Sequence, residues 1–77
     1  MNITFSASGV LRRYIPGAGD SAVVDLPPGA TVADLFQHLD MTWGEVGVIA
    51  VNRQMAGEET VLREGDRVEL FAPIGGG

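Results

Sequence analysis

The stretch Thr31-Val32-Ala33-Asp34-Leu35-Phe36-Gln37-His38-Leu39 decides how this chain can fold. Val32, Leu35, Phe36 and Leu39 recur at the i, i+3, i+4, i+7 spacing that gathers apolar side chains on one stripe of an α-helix. Thr31 followed by Asp34 reads as a capping box, with Asp standing where Glu or Gln is usual. A helix this short does not hold in water by itself, so its stripe must lie on a sheet. The flanking sequence has to supply that sheet.

On the N-terminal side, Met1 to Ala7 alternates, with Ile3 and Phe5 on one face and Asn2, Thr4 and Ser6 on the other. Period-two alternation of this kind marks a half-buried strand. Gly9 to Gly19 breaks the pattern around Pro16-Gly17 and reads as a loop pinned by Leu11, Tyr14 and Ile15. Ser21 to Leu26 forms a second strand with Val24 and Leu26 inward, stopped by Pro27-Pro28-Gly29. Beyond the helix, a connector carrying Trp43 leads to an apolar strand, Val48 to Val51, ended by Asn52. Gln54 to Thr60 reads as loop, Val61-Leu62 as a brief strand, and Arg63-Glu64-Gly65-Asp66 as a turn with Gly65 at positive φ. Arg67 to Ala72 is the last strand. A hairpin, a helix crossing one sheet face and further strands make an α+β fold of two layers. A β-grasp arrangement fits this order, a mixed sheet with the first and last strands paired at its centre.

Composition bounds what such a domain can do. The 77 residues are 45% apolar and carry a net charge of −5, which describes a globular domain and argues against nucleic acid as partner. There is no cysteine, and His38 is the single histidine, so thiolate and histidine-rich metal sites are excluded and no metal is expected. Lysine is absent, and Arg12, Arg13, Arg53, Arg63 and Arg67 supply every side-chain cation. Without a signal-peptide pattern or long apolar run, the expectation is a cytoplasmic protein that does not engage membranes. No carboxylate pair, hydroxyl–base couple or phosphate-cradling loop is present, so the chain is not expected to catalyse a reaction alone.

The last strand and its ending hold the candidate site. Val68 and Leu70 share one face, while Arg67, Glu69, Phe71 and Pro73 share the other. If Val68 and Leu70 face the helix, then Phe71, Pro73 and Ile74 form an exposed apolar patch suited to docking a partner. The alternative is a strand bent at Pro73, with Phe71 packed beneath the Gly9–Gly19 loop. After Ile74 come Gly75, Gly76 and Gly77. We expect residues 1–73 to form the domain and residues 74–77 a flexible tail whose terminal carboxylate, on Gly77, can thread a narrow active site.

Val51-Asn52-Arg53 and the run Leu62-Arg63-Glu64-Gly65-Asp66-Arg67-Val68-Glu69-Leu70-Phe71-Ala72-Pro73-Ile74-Gly75-Gly76-Gly77 resemble the small ubiquitin-like sulfur carriers. That group includes the small subunit of molybdopterin synthase and the thiamine-pathway carrier. The resemblance implies a β-grasp fold with no bound cofactor. It also implies that a ubiquitin-activating-type adenylyltransferase, using ATP, activates Gly77 and that a sulfur donor converts it to a thiocarboxylate. Gly75 and Gly76 would thread the active sites, and a sulfur-accepting large subunit or synthase would consume the sulfur. The long first loop with Leu11-Arg12, and the Phe71-Ala72-Pro73-Ile74 approach, lean toward the molybdopterin branch, serving a molybdenum or tungsten cofactor. Sulfur supply to thiamine thiazole or to tRNA, and protein modification through Gly77, are the alternatives.

Overall fold

The computed structural model describes residues 1–15 and 19–73, without the side chain of Trp43. The expectations for Pro16-Gly17, for the Trp43 side chain and for the tail Ile74, Gly75, Gly76 and Gly77 lie outside the described residues. Five strands, β1 (Asn2–Ala7), β2 (Ser21–Asp25), β3 (Val48–Val51), β4 (Gln54–Met55) and β5 (Arg67–Phe71), form one sheet in the order β2-β1-β5-β3-β4. β1 runs parallel to β5, and the other pairs are antiparallel. The helix α1 (Val32–Leu39) covers one face. This is the ubiquitin-like β-grasp fold, with the first and last strands side by side in the middle.

The helix forms where its stripe and cap predict. Asp34 N–H donates to Thr31 Oγ1 at 3.3 Å, and Thr31 N–H donates back to Asp34 Oδ2 at 2.9 Å, closing the capping box. The next amides also find partners: Val32 N–H donates to Thr60 O and Ala33 N–H to Glu58 O, both at 3.0 Å. Amides left without partners inside the helix are thereby satisfied by the 57–62 segment. The helix ends at Asp40, which adopts a left-handed conformation at φ 56°.

The core gathers Ile3 and Phe5 from β1, Val24 from β2, Val32, Leu35 and Phe36 from α1, Ile49 from β3, and Val68 and Leu70 from β5. Leu11, Ile15, Leu26, Met41 and Leu62 close its margins. The residues read as inward-facing are therefore buried, except that Leu39 is only partly so.

Two local expectations are corrected. The segment following β1 is not plain loop: Gly9–Tyr14 winds into a 3₁₀ helix that drives Leu11 into the core. The brief strand sits at Gln54–Met55 instead of Val61-Leu62, because Asn52 and Arg53 both take positive φ (52° and 69°) and reverse the chain in two residues. That is the backbone a tight hairpin turn demands. Val61 makes only an isolated bridge to Thr31, while Leu62 is buried.

Candidate functional site

β5 is an inner strand, hydrogen-bonded to β1 on one side and β3 on the other, and the chain leaves the sheet through Ala72 and Pro73. With Val68 and Leu70 in the core, alternation turns Phe71 to the opposite face. Phe71 lies directly across from Val48 in the β3–β5 register, and the two remain 41% and 40% exposed. Phe71 therefore lies exposed on the open face instead of being buried beneath the segment after β1. Ser8, Gly47, Val48, Phe71, Ala72 and Pro73 line an open, apolar cleft of about 590 Å³.

Short contacts hold the exit from both sides. On the β1 side, Ser8 N–H donates to Leu70 O at 3.0 Å, and Ser8 Oγ accepts from Ala72 N–H at 3.2 Å. On the β3 side, Gly47 N–H donates to Phe71 O at 2.8 Å. Gly47 also approaches the exiting backbone closely. A Cβ there would fall 2.8 Å from Pro73 Cα and 3.2 Å from Ala72 O.

A polar knot braces the segments that carry these contacts. Glu45, two residues before Gly47, accepts from Tyr14 Oη at 2.6 Å and from Thr42 N and Oγ1 at 3.1 and 3.0 Å. It also pairs with the Arg13 guanidinium, which stacks over the Tyr14 ring 5.2 Å from its centroid. Foremost through the Tyr14 hydroxyl, this donor set pulls the Glu45 carboxyl down to about 2. Tyr14 first, and then Glu45 itself, raise the Arg13 pKa. The carboxylate thus stays ionised and ties the 3₁₀ turn after Ser8 to the connector before Gly47. By contrast, the Arg12–Asp20 pair at 2.7 Å is open to solvent, where such pairs contribute little.

At the other end of β5, the Gly65-Asp66 turn has a structural use. Gly65 takes φ 83°. Asp66 accepts from Arg63 N–H at 2.8 Å and from Asn52 Nδ2 at 2.9 Å, while Asn52 Oδ1 accepts from Arg67 N–H at 3.0 Å. These bonds fasten the start of β5 to the β3–β4 turn. Among the described residues, no group of three or more His, Asp or Glu could hold a metal ion, and no helix is long and apolar enough to cross a membrane.

Of the residues singled out by sequence, the structure brings Phe71 and Pro73 into one cleft, while Ile74, Gly75, Gly76 and Gly77 lie beyond the described residues. Ser8, Gly47 and Val48 escaped the sequence reading. Alternation with Ala50 could have found Val48, because both stand on the face opposite α1, although Ala50 is buried. Gly47 carries no local signal, since the contact that requires it comes from a segment 26 residues away, at Pro73.

Sheet order and helix placement define the class as ubiquitin-like β-grasp proteins. The ThiS family profile matches residues 10–77, and the chain belongs to the ThiS family. Protein RnfH of Halorhodospira halophila is 36% identical over 69 residues, which cover 78% of this chain and 68% of that protein. SAMP1 of Haloferax volcanii superposes with a TM-score of 0.77 at 20% identity, covering all of both chains. The complex of subunits 1 and 2 of the molybdopterin-converting factor from Helicobacter pylori contains a chain that matches at TM-score 0.66 and 22% identity, again over both full lengths. At these identities the structural likeness establishes the fold.

Proposed function

We propose that this protein is a sulfur carrier whose Gly77 carboxylate becomes a thiocarboxylate. A carboxylate with a pKa of about 3.5 is ionised at neutral pH and is a poor electrophile, so it needs activation. A ubiquitin-activating-type adenylyltransferase joins it to AMP from ATP and releases pyrophosphate. Sulfide-level sulfur from a donor then displaces AMP and leaves the thiocarboxylate. A sulfur-accepting large subunit takes that sulfur for the dithiolene of a molybdopterin-type cofactor, serving molybdenum or tungsten, and the carboxylate returns. The chain is a carrier acting with partner enzymes and binds no cofactor itself; Gly75 and Gly76 thread the tail, while Phe71, Pro73 and Ile74 form the docking collar.

The observation that carries this reading is the ThiS match reaching residue 77, so that Gly47, Val48 and Phe71 to Pro73 of the exit cleft fall in one matched span with the glycine run. The subunit pairing in the Helicobacter pylori complex favours a large-subunit acceptor over thiamine thiazole or tRNA thiolation. Incubation with an active adenylyltransferase, ATP and a sulfur donor should yield an intact mass in which one oxygen is replaced by sulfur. Absence of that species overturns the proposal. Product analysis with each class of acceptor enzyme then separates dithiolene from thiazole and thiolated tRNA.

A second reading, protein modification, is favoured by the likeness to SAMP1, the small archaeal modifier protein 1. It predicts isopeptide adducts of Gly77 on host lysines. A survey of host proteins that finds none counts against it.

A further inference from the structure

We infer that Gly47, seconded by Ser8, is a positioning residue that sets where the tail leaves the body; this rests on the sulfur-carrier reading above. The contacts at the exit are asymmetric in what they tolerate. Ser8 holds Ala72 by a hydrogen bond, and a Cβ on Gly9, which itself takes φ 57°, would meet only the Ala72 Cβ, at 3.4 Å. Gly47 leaves no such room. Its hypothetical Cβ meets three backbone atoms, Pro73 Cα at 2.8 Å, Pro73 N at 3.0 Å and Ala72 O at 3.2 Å. Real Cβ atoms do not approach that closely, and no flexible side chain is present to swing away. Any residue other than glycine forces the two main-chain segments, at position 47 and at Ala72-Pro73, to move relative to each other.

The displacement acts on a stiff segment. Proline fixes its own φ and restricts the residue before it, so Ala72-Pro73 moves as a unit. The four residues after Pro73 span at most about 13–14 Å when extended. A body docked on the activating enzyme therefore has little spare reach with which to correct a displaced base. A misplacement of about 1 Å at a reacting group costs up to roughly a hundredfold in rate. Gly47 thus governs delivery of the carboxylate without touching the chemistry.

The test is chain-dependent ATP–pyrophosphate exchange by the adenylyltransferase, with kcat and KM for the carrier measured separately. Gly47→Ala should lower kcat about tenfold or more while leaving KM close to wild type. One extra glycine inserted between Ile74 and Gly75 of that variant should restore much of the lost kcat, because added slack replaces lost aim. Ser8→Ala should lower kcat more mildly, and Ser8→Thr, which keeps a hydroxyl, should recover it. The Ser8 pair decides the question by the same criteria if Gly47→Ala does not fold. An unchanged kcat overturns the inference. So does a raised KM with kcat intact, which would make Gly47 a docking contact, or a kcat loss that the inserted glycine leaves untouched. Failure of the wild-type chain to support exchange overturns the sulfur-carrier reading itself.

Discussion

Val48 and Phe71 face each other across the β3–β5 ladder on the side of the sheet that α1 leaves open, each about two-fifths exposed. An apolar cross-strand pair contributes up to about 1 kcal/mol to a sheet. About two-fifths of each side chain stays open to a partner.

Phe71→Ala should therefore separate binding from folding. We expect urea-unfolding stability to fall by no more than about 1 kcal/mol. Affinity for the adenylyltransferase or the large subunit, measured by calorimetry, should drop by about 1–3 kcal/mol. Loss of the folded state would mean that Phe71 belongs to the core.

Asn52 is held in a left-handed conformation and bonds both Asp66 and the Arg67 amide. Asn52→Ala removes both bonds and places a less suited residue at positive φ, at a cost of about 2–3 kcal/mol. Asn52→Gly keeps the conformation and loses only the bonds, so it should cost less. Equal losses in chemical denaturation would show that backbone conformation contributes nothing at this turn.

Acid should weaken the knot around Glu45. Its folded pKa, about 2, lies below the ordinary 4.5, so the carboxylate's stabilisation is complete above 4.5 and fades as pH falls toward 2. Glu45→Gln removes the titrating group. The stability gap between wild type and this variant should stay constant near neutrality and narrow across that acidic window. A gap independent of pH through the window would contradict the assigned bonding.

Deleting Gly77 should abolish thiocarboxylate formation while leaving the melting temperature unchanged, since the core is built from residues upstream of it. Intact mass after reconstitution and a thermal melt give the two readings. Sulfur loading of the shortened chain would remove Gly77 from the proposed role.

Much of this fold was legible because its signals are local. Val32, Leu35 and Phe36 lie on one helical stripe, Thr31 and Asp34 cap it, and Ile3 and Phe5 alternate with polar neighbours. The 3₁₀ turn at Gly9–Tyr14 has no long apolar period to announce it. β4 escaped because Asn52-Arg53 makes its hairpin without the glycine that usually marks one. Val61 resembled a strand residue, yet it serves to strap the 57–62 segment to the start of α1. At the candidate site, Phe71 and Pro73 were readable from the alternation of β5. Gly47 was not, because crowding between distant segments leaves no trace in local sequence.

The placement of β5 between β1 and β3 also has a mechanical consequence. Force applied along β5, the sheet's central strand, meets hydrogen bonds on both sides, perpendicular to the strand toward β3 and slanted toward β1. Those bonds are loaded together in shear and are not unzipped one at a time from an edge. In the proposed carrier, the strand that leads to the tail is the one anchored on both sides.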